Sequence, residues 1–214
     1  MADRIVSRSS FAVIATLVLA AQLVPAAVSA QVPFACTGEA FIVQNINAEL
    51  SQVDQTASPF NFVSVGPPAG IEYNNMGFRR TDGFLYAVEL STGGNVEIIQ
   101  IDATGATFGL GRPAGLPTGP RFDAGDISPD GDTMYINTVN QDLYLVDLTS
   151  LPALPPVTTV NITGDNGFVF DWTFNTDTGL LYGGDSTQGQ LAILNPATGV
   201  RTDFAVAGCS PAGP

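Results

Sequence analysis

The chain contains no histidine and no lysine, and these two absences remove most enzyme mechanisms before any motif is sought. Without histidine there is no Ser-His-Asp triad, no imidazole general base and no His-bound zinc. Without lysine there is no Schiff base and no Ser-Lys pair. A paired-carboxylate hydrolase and a Ca²⁺-dependent hydrolase of the lactonase kind stay open, because neither needs those side chains. The basic residues are seven arginines against twenty Asp plus Glu, a net charge of −13. A surface of that sign repels phosphate backbones and anionic headgroups, which disfavours nucleic acid and peripheral membrane binding and suits divalent cations or cationic partners. Helical periodicity is missing after the first thirty residues, and 23 Gly with 15 Pro would fragment a helix.

Long apolar runs are also missing, with one exception. Phe11 to Val24 is apolar, follows Arg4 and Arg8, and leads to small residues up to Ala30. This is the layout of a secretory signal, shorter than the ~20 residues of a membrane span. The expected organisation is a signal peptide over 1–30 and a single domain over 31–214, secreted or periplasmic, with no membrane insertion after cleavage. Cysteine is nearly absent too. Cys36 and Cys209, near the two ends of that domain, are the expected disulfide in an oxidising compartment. In the chain-entropy model so long a loop stabilises by ~4–5 kcal/mol.

What the chain does have is repetition. FIVQNINAELSQVD from Phe41 and MYINTVNQDLYLVD from Met134 align without a gap. Gly83, Gly131 and Gly179 follow one another at a constant interval, each trailed by a tyrosine: Tyr86, Tyr135, Tyr182. Units of this size with four short strands each are the signature of propeller blades. The pattern predicts an all-β, β-propeller-like fold of about four blades with four antiparallel strands each. The first blade begins at the second strand of the unit and so lacks its innermost strand. Either the ring closes imperfectly or the chain stops before its last blade. Open strand edges on the first and last blades would then invite self-association. The run Phe168, Phe170, Trp172, Phe174 is read as one alternating strand opening the fourth blade.

The residues Asn75-Met-Gly-Phe with Asp82-Gly-Phe-Leu-Tyr86, Gly125-Asp126-Ile-Ser-Pro-Asp-Gly131, Asp171-Trp172 with Gly179-Leu-Leu-Tyr182, and Asn195-Pro-Ala-Thr-Gly199 resemble a bacterial secreted β-propeller-like family classed as a domain of unknown function. The resemblance runs from about Cys36 to Ala207. It implies the propeller fold and no known activity or catalytic residue. Members usually continue with a further Asp-Gly and Leu-Tyr blade, and the ending Cys-Ser-Pro-Ala-Gly-Pro suggests a truncated or short member.

Candidate chemistry is sparse. Asn75, Asp126 and Asp171 are read as equivalent positions at the start of each innermost strand, where a central channel opens. Their oxygens would suit Ca²⁺, or would accept backbone hydrogen bonds at blade corners. Tyr86, Tyr135 and Tyr182 suit packing between blades. Trp172 suits the core, or a channel mouth where an aromatic stacks on sugar. Asp82, Asp130 and Asp177 belong to tight turns, and Asn161-Ile-Thr163 matches a glycosylation sequon. No catalytic residue is assigned. The sequence therefore points to a non-enzymatic scaffold with an unknown protein or carbohydrate partner, and alternatively to the Ca²⁺-dependent hydrolase.

Overall fold

The computed structural model describes residues 30–35, 37–90, 96–118, 122–138, 142–164 and 167–206. Cys36, Cys209 and all but the last residue of the expected signal segment lie outside them. The described fold belongs to one compact unit, Gln31–Pro214. Among the described residues there are fifteen strands and no helix, hence no helix long and apolar enough to cross a membrane.

The strands form four antiparallel sheets that succeed one another as the blades of a β-propeller. The first blade has three strands, β1 (Ala40–Gln44), β2 (Glu49–Asp54) and β3 (Asn61–Ser64). The second holds β4 (Tyr73–Arg79), β5 (Phe84–Leu90), β6 (Val96–Ile101) and β7 (Thr107–Gly111). The third holds β8 (Phe122–Ile127), β9 (Thr133–Thr138), β10 (Asp142–Asp147) and β11 (Thr158–Asn161). The fourth holds β12 (Thr173–Asn175), β13 (Leu180–Asp185), β14 (Gln190–Leu194) and β15 (Arg201–Ala205). In every complete blade chain order is also spatial order, so β4, β8 and β12 are innermost. The strand missing from the first blade is the innermost one, as its sequence predicts.

One expectation is corrected. The run from Phe168 to Trp172 is not part of a strand; β12 begins only at Thr173. Val169 makes a lone bridge to Asp185, while Phe170 is exposed and Trp172 is buried. The aromatic alternation is real, but Phe168 packs on Phe170 rather than on a neighbouring strand, with ring centroids 4.5 Å apart. Hydrophobic period alone does not provide a backbone partner.

Two-residue periodicity builds the interior, because side chains alternate between the faces of each sheet. On β5, Leu85 and Ala87 face the first blade while Tyr86 and Val88 face the third. On β6, Ile99 and Ile101 join the first side and Val96 and Ile98 the other. The third blade repeats this: Met134, Ile136 and Val146 turn towards the second blade, while Leu143 packs with Trp172, Leu181 and Leu194 of the fourth. The described residues thus form three cores, one between each pair of consecutive blades. Each fully buried Ile or Leu contributes about 2 kcal/mol. Outer strands carry little of this, and every residue of β3 is exposed.

A second repeat pins the last turn of each blade. Asp54, Asp102 and Asp147 each accept hydrogen bonds from the backbone N–H and the hydroxyl of the threonine two residues on. Asn195 plays the same part for Ala197 and Thr198. These are Asx turns, which fold locally because the acceptor reaches its own chain.

Candidate functional site

The innermost strands lie side by side without a shared backbone ladder, so side chains must join them. Bulges in β4 and β8 redirect the backbone. Asn75 adopts a left-handed φ of 61° inside the first bulge, a conformation that asparagine tolerates better than most residues. From there its Nδ2 donates to the Ala124 carbonyl of β8 at 2.6 Å. The approach is possible only because Gly125 has no side chain, since a Cβ there would overlap Asn75 Oδ1 and the Tyr135 carbonyl.

Asp126 makes the corresponding clip from β8 to β12. Its Oδ1 accepts from the Ile127 N–H at 2.7 Å and its Oδ2 from the Phe174 N–H at 2.9 Å, with the Thr173 hydroxyl at 3.4 Å. Asp171 accepts from the Trp172 N–H at 2.9 Å. Asp126 is half-buried, whereas Asp171 is exposed. Burial raises the Asp126 carboxyl above its ordinary value, against the pull of its donors and of Arg80. Desolvation likewise pushes Asp171 up to about 6, and the neighbouring Asp126 charge adds to the rise although the Trp172 and Gly125 N–H groups oppose it.

The pairing register corrects the expected equivalence of the three residues. Tyr86, Tyr135 and Tyr182 pair with Gly77, Asp126 and Thr173 and are therefore matched positions, as expected. Counted from them, Asn75 and Asp171 correspond, and Asp126 lies two residues further along, at the place of Gly77 and Thr173. The blade-three counterpart of Asn75 is Ala124, the carbonyl it bonds. The spacing carries the same offset, since Asn75 and Asp171 lie two turn-glycine intervals apart and Asp126 falls off their midpoint. Asp126 and Asp171 interact electrostatically, while the Asn75 amide is committed to Ala124, and its buried Oδ1 has no partner. Among the described residues no three acidic or cysteine side chains gather at one point.

The remaining candidates hold places in the fold. Tyr86 is fully buried between blades and its hydroxyl donates to Asp82 Oδ2 at 2.7 Å. Tyr135 meets Phe174 edge to face across the next interface, at 5.2 Å between centroids. Trp172 is buried, and its indole N–H donates to Asn137 Oδ1 at 3.3 Å. Asp82 and Asp130 accept backbone N–H groups within their turns, Asp177 sits in the turn before Gly179, and Asn161 donates to Asp142. Sequence reasoning missed a buried pair, Arg201 with Asp185, that ties β15 to β13. No repeat marks it, because among the described residues no other blade has such a pair.

It also missed a cleft at the ends of the three innermost strands. This space of about 210 Å³ is lined by Phe78 in β4 and Arg80 just after it, Asp126 and Ser128 at β8, and Thr173, Phe174 and Thr176 at β12. A larger cleft of about 390 Å³, beside Asn45, Ile46 and Tyr73, involves only two blades.

With fold and cleft in place, comparison with known proteins gives three results. A family model described as "Repeat of unknown function (DUF6923)" matches residues 41–213. No curated protein matches the chain. Among solved structures, a structural genomics protein of unknown function from Bacteroides thetaiotaomicron VPI-5482 aligns over 86% of this chain and 45% of its own length, with TM-score 0.54 and 11% identity. Glutaminyl cyclase from Myxococcus xanthus aligns over 77% and 64%, with TM-score 0.50 and 14% identity. The chain therefore spans between 45% and 64% of these structures. At such identities the likeness is one of fold alone.

Proposed function

The chain belongs to that family of repeats, and on this premise we propose that it is a non-enzymatic binding module whose blades hold a ligand at the mouth formed by the innermost strands. One observation carries the reading: the side chains that bridge those strands, Asn75 through its Nδ2 and Asp126 through its carboxylate, are held by the protein. Asn75 braces the second blade to the third and Asp126 braces the third to the fourth. A carboxylate bound to three donors is held in place rather than exchanging a proton with a substrate, and the sequence offers no histidine or lysine to take over. The module works outside the cytoplasm, exported by residues 1–30 and stapled by Cys36 and Cys209. Intact mass of the non-reduced, exported protein reads both features. The expected species lacks the first thirty residues and carries no alkylatable thiol, and two labelled thiols refute the bridge. The partner is a protein or a carbohydrate, and a second copy pairing along the open edge of β1 is a further partner.

A Ca²⁺-dependent hydrolase is the second reading, favoured by the neighbouring carboxyls of Asp126 and Asp171. The two readings differ in the melting temperature. A cation held by Asn75, Asp126 and Asp171 stabilises the folded state by linkage, so added Ca²⁺ raises the melt and a chelator reverses it. The module reading expects millimolar Ca²⁺ to leave the melt unchanged, and expects Asp126→Ala with Asp171→Ala to destabilise equally with and without the metal.

A further inference from the structure

We infer that the three-blade cleft is a subsite for one neutral sugar ring, with Arg80, Asp126 and Thr176 as its polar contacts and Phe78 and Phe174 as its apolar walls. The inference rests on the binding-module reading and names its ligand class.

Chemical variety within a small space is the first argument. Arg80 supplies donors only, Asp126 supplies acceptors only, and the Thr176 hydroxyl supplies both, while the hydroxyls of Ser128 and Thr173 donate to Asp130 and Asp126 and keep only acceptor capacity. A sugar ring presents hydroxyls of both kinds around its rim, so mixed lining suits it better than it suits a purely anionic or purely cationic group. Asp126 Oδ1 takes one hydrogen bond and Oδ2 takes two, leaving lone-pair capacity on the carboxylate for one more donor.

The apolar walls are the second argument. Phe78 and Phe174 occupy matched positions, each following the residue that pairs with a repeat tyrosine. Both are half-buried, and both line the cleft. An aromatic ring with a partly exposed surface is where the C–H face of a sugar packs, since the ring is electron-rich on its face. At about 210 Å³ the cleft is below the ~300–1,000 Å³ of sites for drug-sized ligands, which limits it to a single ring or the end of a chain.

Charge is the third argument. Arg80 is exposed, makes no hydrogen bond or ion pair among the described residues, and interacts electrostatically with Asp126. Arg79 is paired with Asp82 and Arg201 with Asp185 and Asp203, so Arg80 differs from its neighbours in retaining its donors. Among the described residues lining this mouth the positive group is Arg80, balanced by Asp126, within a chain of net charge −13. That field disfavours an anion, while Arg80 itself disfavours a cation, and a neutral ligand is left.

The test uses the full exported protein with the methyl glycosides of glucose, galactose and mannose, and a methyl glucuronoside as the anionic comparison, followed by calorimetry and saturation-transfer NMR. At least one neutral glycoside is expected to bind saturably. Arg80→Ala should weaken it by roughly tenfold or more, and Thr176→Val by roughly threefold, as loss of charged and neutral hydrogen bonds implies. Both side chains are exposed, so the melting temperature should stay where it was, which separates lost binding from lost folding. Absence of saturation with all three neutral glycosides overturns the inference, as does binding that Arg80→Ala and Thr176→Val leave untouched, or preference for the glucuronoside. If the glycosides fail and the melt ignores Ca²⁺, the sugar is wrong and the module reading stands. A Ca²⁺-dependent rise in the melt removes the module reading itself.

Discussion

The aligned segments from Phe41 and from Met134 have nearly the same pattern and markedly different surroundings. In the third blade, Met134 and Ile136 are fully buried, and four of the six residues of β9 are inaccessible. In the first blade, the matching β1 has no buried residue at all. The difference comes from neighbours. β9 is flanked by β8 and β10, and its two faces meet the second and fourth blades. β1 pairs only with β2 and has a blade on one side. A repeat sequence therefore sets which way each side chain points, and the adjoining blades set how much that orientation contributes to stability.

The comparison is sharpest at its aligned positions. Ile136→Ala should cost about 2–5 kcal/mol, as deletion in a packed core does. Val43→Ala, its counterpart in β1, should cost about 1 kcal/mol because its side chain is only half-buried. Urea unfolding of the two variants reads the difference, and equal losses would show that β1 is covered in solution. Repeating the unfolding at rising protein concentration tests pairing along the β1 edge, since a midpoint that climbs with concentration reports a second copy.

The next effect concerns the clips between blades. Asp126→Ala leaves the Phe174 N–H without its acceptor and should cost about 1–3 kcal/mol. Asn75→Gly, which keeps the left-handed φ without strain, should cost less, because it removes a buried, unpartnered Oδ1 together with the bond to Ala124. An Asn75→Gly loss larger than that of Asp126→Ala would mean that the second and third blades depend on their clip more than the third and fourth do.

The smallest effect is a pH dependence. Asp171 has an ordinary pKa of 3.8 when unfolded and about 6 when folded, so between those values the folded state holds more proton than the unfolded state. Stability therefore falls as pH rises from about 4 to about 6, and Asp126, shifted in the same direction, contributes with the same sign. Asp171→Asn should flatten this slope in thermal melts across that window. A slope unchanged by the substitution would assign it elsewhere.

Most of the architecture was legible in the residues. The number of strands, the short first blade and the matched tyrosines follow from alternation, turn glycines and a recurring interval, because these are local properties of a pleated chain, but β8 begins at Phe122 and leaves Asp126 near its end rather than at the expected start. The aromatic run before β12 misled because alternation describes facing and not pairing. The candidate site was less legible. Asn75, Asp126 and Asp171 look alike in residue type, yet Asp126 stands off the interval of the turn glycines, and only the pairing register shows that it takes the place of Gly77 and Thr173. Arg80 carried no signal at all, since an arginine beside Arg79 reads as ordinary surface until β8 and β12 are placed next to it.

The sequence by itself determined the blade, because each sheet is closed by short turns and by an Asx turn, such as Asp102 with Thr104 or Asn195 with Ala197, that needs only its own neighbourhood. Only the tertiary structure decided what lies between blades. The clips from Asn75 and Asp126, the three interface cores and the cleft beside Arg80 each join residues some fifty positions apart in the chain, roughly one repeat. Their geometry depends on how closely one sheet settles against the next, and Gly125 sets that distance by having no side chain.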